Sequence, residues 1–156
     1  IVITHFSDPT IKATAEAEQH QLQENLGIKV DLLAVDWGTW MKTWNTGNYQ
    51  LLWFLWYTWY HDPIYNLELV KYSGKGLNTT GWEHPEFIKL LDAADRSTDT
   101  GERISCLKQA EALAMEEFPT IPVYFHTFKY AKKPGVRGES LSSVGQLELR
   151  RIEKTE

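Results

Sequence analysis

Three times along this chain an apolar stretch runs into an acidic residue placed where a helix can begin. Residues 1–6 read as a short buried strand, and Ser7-Asp8-Pro9 follows with a cap side chain and a proline near the first helical position. In residues 28–35, Ile28, Val30 and Leu32 alternate with Lys29, Asp31 and Leu33, a strand pattern that ends at Asp36. Residues 49–56 read as a mostly buried strand, and Asp62-Pro63 repeats the capping arrangement shortly after. Strands that alternate with capped helices belong to parallel sheets, because parallel neighbours need a crossover connection.

The helices between these strands follow from spacing. Ile11, Ala15, Leu22 and Leu26 mark one face of a first helix, which the polar Thr14 and Glu18 interrupt. Gly27 stands where a left-handed cap belongs. Trp37, Trp40, Met41 and Trp44 give residues 37–46 one large apolar face, and Gly47 ends that helix. A short helix is expected from Pro63 to about Val70. Residues 72–82 are rich in Gly, Ser, Asn and Thr and read as a loop. His84-Pro85-Glu86 opens a helix with Phe87, Leu90, Leu91 and Ala94 inward. Residues 102–117 form an amphipathic helix that Pro119 stops. Residues 121–127 and 146–152 are expected as strands. The whole is an α/β fold, a mixed sheet flanked by helices.

The length suits one domain burying about two-thirds of its unfolded surface. A net charge of −5 with no basic patch argues against nucleic acid. The run Lys129, Lys132, Lys133, Arg137 is broken by Pro134 and Gly135 and reads as a solvated loop. Cys106 is the only cysteine, so there is no internal disulfide and no CxxC motif. No apolar run reaches the ~18 residues that a membrane span needs. The five histidines are scattered, with no pair at i, i+4, and no metal or other cofactor is expected. There is no GxSxG and no phosphate loop, and Gly74-Lys75-Gly76 is too short to count. Asn78-Thr79-Thr80 matches a glycosylation sequon. Asp36 and Asp62 flank an aromatic stretch as glycosidase carboxylates do, yet both precede expected helices, where capping explains them.

That aromatic stretch holds six of the seven tryptophans within 23 positions: Trp37, Trp40, Trp44, Trp53, Trp56 and Trp59. Trp40 and Trp53 fit a helix face and a strand interior, so packing accounts for them. Trp37, Trp56 and Trp59 fall at strand-to-helix ends, where open α/β sheets collect ligands. Residues 56–63 combine stacking faces, hydroxyls and free backbone groups, which suits an extended polar chain.

The segment Trp56, Tyr60, Asp62, Pro63 resembles a strand-end motif of the oligopeptide- and dipeptide-binding proteins of ABC importers, solute-binding family 5. Gly27-Ile28-Lys29-Val30-Asp31-Leu32 followed by Asp36-Trp37 resembles the same family. So do Thr46-Gly47-Asn48-Tyr49-Gln50-Leu51 and Ala110-Glu111 with Phe118-Pro119-Thr120-Ile121-Pro122-Val123-Tyr124. The resemblance implies one lobe of a two-lobed periplasmic-binding-protein fold. Residues 1–139 are then part of the C-terminal ligand-binding lobe, and residues 140–156 a tail returning to the missing N-terminal lobe. The strand in that tail must pair elsewhere, hang loose, or form a homodimer with another copy.

The resemblance also implies the site: Trp37, Trp56, Tyr57, Thr58, Trp59 and Tyr60 contact the ligand. Peptide-binding members carry an aspartate, three positions beyond the strand-end tryptophan, that pairs with the ligand's α-amino group. Here that position is Trp59. The expected function is capture of a solute, a small peptide or peptide-like molecule, for an ABC permease, on the outer side of a bacterial cytoplasmic membrane and without catalysis. The alternatives are a carbohydrate-binding module or glycosidase lobe, and a structural aromatic core with a partner-binding surface.

Overall fold

The computed structural model describes residues 1–74, 77–127, 129–142 and 144–154. The chain divides into two compact units. The first comprises Ile1–Trp56 and Leu69–Ile88, and the second comprises Tyr57–Glu68 and the chain from Lys89 onward.

The first unit is built on a parallel sheet. Strand β1 (Val2–Phe6) lies between β2 (Asp31–Val35) and β3 (Leu51–Leu52), in the order β2-β1-β3. The register runs from Val2 opposite Asp31 to Phe6 opposite Val35, and Ile3 and Thr4 face Leu51 and Leu52. Helix α1 (Pro9–Leu26) connects β1 to β2, and α2 (Trp37–Thr46) connects β2 to β3. The expected caps are in place. Asp8 accepts from the backbone N–H groups of Thr10 and Ile11, and Asp36 accepts from that of Thr39. Gly27 and Gly47 close the two helices at φ 65° and 64°, a left-handed conformation in which a Cβ would be strained.

The core of this unit gathers Ile3, Ile11, Ala15, Val30 and Trp53, with Phe6, Leu22, Ile28, Leu32, Leu51 and Leu55 packed around it. Each large member contributes roughly 1.5–3 kcal/mol by leaving water. Glu18, which interrupts the apolar face of α1, has a partner: its Oε1 accepts from the indole Nε1 of the buried Trp53 at 3.0 Å. Burial pushes the Glu18 carboxyl above its ordinary range, although the Trp53 bond and the charge of His5 oppose this.

Two strands are shorter than the sequence predicts. The strand expected over residues 28–35 starts at Asp31. The side chains of Gln19 and Gln23 on α1 take the carbonyl and the N–H of Val30, at 2.7 and 3.2 Å, so those groups are bonded to the helix. The strand expected over residues 49–56 pairs only at Leu51 and Leu52, with one further bond from Trp53 N–H to the Thr4 carbonyl at 2.9 Å. Beyond it the chain leaves the sheet, and Phe54 packs against Trp40 and Trp44 of α2.

The loop of residues 71–82 also closes on this unit, organised by Asn78, which is 1% exposed. Its amide donates to the carbonyls of Val70 and Trp82, and its carbonyl accepts from the Thr80 N–H and hydroxyl. The sequon nitrogen is therefore committed inside the fold. Lys75 and Gly76, which fall in the Gly-Lys-Gly stretch, lie outside the described residues.

The second unit packs α3 (Pro63–Leu67) against α5 (Thr100–Glu117) and includes the later part of α4 (Pro85–Arg96). Its buried residues are Ile64, Leu91, Ala94, Leu107, Ala110 and Ala114. Asp62 caps α3 through the Ile64 N–H, Asp99 caps α5 through the Glu102 N–H, and Phe118 ends α5 at φ 50°. Cys106 is half-buried on α5.

The strand expected over residues 121–127 does not form. The segment pairs with no strand among the described residues, and Ile121, Val123, Tyr124 and Phe125 are exposed. An apolar run alone cannot make a strand without a ladder to join. The strand expected over 146–152 is interrupted. Leu147–Glu148 (β6) pairs antiparallel with Ser140–Leu141 (β5), and Glu153–Lys154 (β7) pairs with Val136–Arg137 (β4). Between β6 and β7 the chain turns, with Ile152 N–H bonded to the Leu149 carbonyl at 3.1 Å. The C-terminal strand thus finds its partner within its own chain.

Candidate functional site

In the first unit, Trp37 is the first residue of α2, directly after the cap that follows β2. Trp56 lies four residues past the end of β3. Both follow the C-terminal ends of parallel strands, the edge at which open α/β sheets hold ligands. A chain of ring contacts runs between them. Trp37 stacks on Trp40 with centroids 5.2 Å apart and planes 12° apart. Trp40 meets Phe54 at 5.5 Å, and Phe54 stacks with Trp56 at 5.7 Å. Phe6, the last residue of β1, sets its edge against Trp37 at 5.5 Å and 83°.

These contacts sort the tryptophans. Trp40 and Trp53 are buried, at 4% and 7% exposure, as packing requires. The Trp40 indole N–H donates to the Trp53 carbonyl, and that of Trp44 donates to the Leu77 carbonyl, both at 3.2 Å. Trp56 is half-buried. Trp37 keeps 59% of its surface exposed and Trp59 keeps 70%. Phe6 and Phe54 were not singled out from the sequence. Their signal was positional: Phe6 ends β1 at the edge where α2 begins, and Phe54 stands two residues before Trp56.

In the second unit, residues 57–60 present Tyr57, Trp59 and Tyr60 to solvent, with Thr58 half-buried. Tyr57 meets the ring of His126 at 6.2 Å, and Tyr60 sets edge to face with Tyr65 at 4.7 Å. Partial desolvation, then the charges of Glu68 and Asp62, hold the Tyr60 phenol above its ordinary pKa. It remains a neutral hydroxyl at pH 7, able to donate or accept.

Both carboxylates that flank the aromatic stretch have structural employment. Asp36 takes the Thr39 N–H at 3.0 Å and the Thr39 hydroxyl at 2.6 Å, and these bonds hold its carboxyl below the ordinary range. Asp62 caps α3 and also meets Nη2 of Arg103, which lies 2.9 Å from each of its oxygens. Desolvation works to raise the Asp62 carboxyl, but the Arg103 and Ile64 hydrogen bonds and the Arg103 charge bring it below the ordinary range. Arg103 lies 41 positions away, and no sequence signal pairs it with Asp62. Among the described residues no group of three or more His, Cys, Asp and Glu side chains is placed to hold a metal ion. No helix among them is long and apolar enough to cross a membrane.

Residues 1–78 match the family model of bacterial extracellular solute-binding proteins, family 5 Middle. The chain belongs to this family. Trp37, Trp56, Asp62 and residues 57–60 all lie within the matched part of the family 5 model. Among curated relatives, the oligopeptide-binding protein OppA of Bacillus subtilis is 32% identical over 150 residues, which is 96% of this chain and 28% of that protein. Among solved structures, the periplasmic oligopeptide-binding protein OppAIV of Borrelia burgdorferi is 28% identical with a TM-score of 0.72, over 76% of this chain and 24% of that one. The dipeptide-binding protein of Pseudoalteromonas sp. SM9913, solved in complex with Met-Leu, has a TM-score of 0.77 over 99% of this chain and 32% of that one. At 23% identity it shows the shared fold alone. The α/β architecture is thus that of family 5 proteins, and the chain spans 28% of the length of the OppA relative.

Proposed function

We propose that this chain contributes one wall of the binding cleft of a peptide-capturing solute-binding protein that serves an ABC importer. The observation that carries the reading is a run of exposed aromatic residues, after the C-terminal ends of parallel strands, in a family 5 chain. Trp37 and Trp56 form the wall in the first unit. Tyr57, Thr58, Trp59 and Tyr60 supply stacking faces, hydroxyls and backbone groups in the second. No covalent step is involved. An N-terminal lobe completes the cleft, and closure of the two lobes traps the solute between aromatic walls. Residues 1–139 belong to the ligand-binding lobe, and residues 140–156 lead back toward the N-terminal lobe. The site of action is outside the cytoplasmic membrane of a bacterium, where the permease receives the loaded protein.

Asp62 is not the anchor for a peptide's α-amino group in this scheme. Its charge is met by Arg103, and Oδ1 also accepts the Ile64 N–H as the cap of α3. A buried ammonium without a counter-ion is costly. Either the cargo carries no α-amino group where it meets Trp59, or another acid supplies the counter-charge.

The test is isothermal titration of mixed di- to pentapeptides against this chain and against a polypeptide extended to the length of its relatives. The extended protein is expected to bind in the micromolar range and this chain weakly or not at all. Micromolar affinity in the chain alone overturns the half-cleft reading. Failure of the extended protein to bind any peptide overturns peptide capture.

A further inference from the structure

We propose that the turn of residues 149–152, together with the β4–β5 arm that it rests on, forms a binding site for a phosphate group. The site lies in the second unit and goes beyond the peptide-capture reading, on which it does not depend.

The register of the two ladders makes the site. Arg137 pairs with Glu153, and Ser140 pairs with Glu148. Gly138 and Glu139 on one arm therefore stand opposite the four residues 149–152 on the other. The excess residues cannot join the ladder and bulge from it. The bulge closes as a turn, through the bond from Ile152 N–H to the Leu149 carbonyl, with Arg150 and Arg151 at its centre. That turn is pressed onto the opposite arm. A Cβ added at Gly138, where φ is 87°, would lie 1.8 Å from the Arg151 carbonyl oxygen. Only glycine permits this approach, so the position of the arginine turn is fixed by the backbone beneath it.

Arg150 and Arg151 line a cleft of about 430 Å³ with Gly138, Glu139, Ser140 and Glu148. The Glu139 carboxylate is already paired with Lys132. Neither arginine forms an ion pair among the described residues. Two guanidinium groups thus face one uncommitted carboxylate, that of Glu148, and the cleft carries an excess of positive charge. A guanidinium presents its donors as a planar fork that matches an oxyanion. One fork fills the two oxygens of a carboxylate, whereas a phosphate group has oxygens for both forks. The Ser140 hydroxyl adds a further donor.

The test uses this chain as it is. The Gly138 amide and the arginine Nε–H signals are followed by 1H–15N NMR during titration with inorganic phosphate, acetate or chloride at constant ionic strength. Phosphate is expected to saturate these signals with an affinity about tenfold above that of acetate. Arg151→Gln is expected to weaken phosphate about tenfold, and Arg151→Lys to weaken it less. Glu148→Gln is expected to strengthen it about twofold by removing the opposing charge. Gly138→Ala keeps every charge and is expected to abolish binding by displacing the turn. Equal response to phosphate and chloride, or phosphate binding that survives the double variant Arg150→Gln, Arg151→Gln, overturns the proposal. Co-sedimentation with phosphatidylglycerol vesicles, lost in Arg151→Gln, supports the site and makes a lipid headgroup its source of phosphate. Saturable phosphate binding without vesicle binding supports the site and makes the source a soluble phosphate. A protein that takes up no peptide yet binds phosphate in this way sinks peptide capture and leaves the site standing.

Discussion

Nη2 of Arg103 lies 2.9 Å from both carboxylate oxygens of Asp62, and the same carboxylate caps α3 through the Ile64 N–H. One side chain thereby starts a helix and ties it to another. Asp62→Ala is expected to cost about 1–2 kcal/mol, mostly the lost cap. Chemical denaturation of Asp62→Ala, Arg103→Ala and the double variant measures the coupling, expected at up to about 1 kcal/mol for a pair this accessible to solvent.

The same pair sets a pH dependence. The Asp62 carboxyl is lowered in the folded chain, so its contribution is complete above its unfolded value, about 3.9, and is lost as pH falls through the lower folded value. Thermal melts followed by circular dichroism below pH 5 are expected to show a smaller acid loss in Asp62→Asn than in the parent. Identical acid profiles contradict this account.

Glu18 behaves in the opposite sense. Its carboxyl is raised, so its favourable contribution is present below its unfolded value and fades as pH rises through the folded one. Glu18→Gln keeps an acceptor for the Trp53 indole and removes a half-buried charge. It is expected to match or slightly exceed the parent's stability at pH 7. Glu18→Leu leaves the Trp53 N–H unsatisfied and is expected to cost about 1–3 kcal/mol by urea denaturation.

Caps and core tryptophans were legible in the sequence because each is a local pattern. An acid before Pro63 or Trp37, a glycine at 27 or 47, and indoles at helical spacing all act within one or two turns. The failures needed partners from elsewhere. Val30 belongs to no strand because two glutamines on α1 claim it, and nothing in residues 28–35 reports that. Residues 121–127 have a strand's composition but no ladder to join among the described residues. At the candidate site, Trp37, Trp56 and Trp59 were read as ligand-facing from their place at strand-to-helix ends; Trp37 and Trp59 are exposed and Trp56 is half-buried. Phe6 and Phe54 had only a positional signal, and Arg103 became visible only when the fold brought distant segments together.

Asn78 closes the loop of residues 71–82 with four hydrogen bonds while 1% exposed. Asn78→Asp replaces its two amide donors with a carboxylate facing the Val70 and Trp82 carbonyls. The expected cost is about 3 kcal/mol or more, read by urea denaturation. A loss under 1 kcal/mol contradicts the assigned network.

Phe125 is 99% exposed, in the segment of residues 121–127 that joins no strand among the described residues. Phe125→Ser is expected to leave the melting temperature unchanged and to reduce self-association in sedimentation velocity runs. A drop of several degrees shows instead that Phe125 is packed.

Peptide capture is tested most directly by native mass spectrometry of the protein extended to the length of its relatives and purified without refolding. Spectra taken before and after mild denaturation identify whatever it carries. The account predicts release of short peptides. Release of sugars alone, or an empty protein that also fails to take up added peptides, contradicts it.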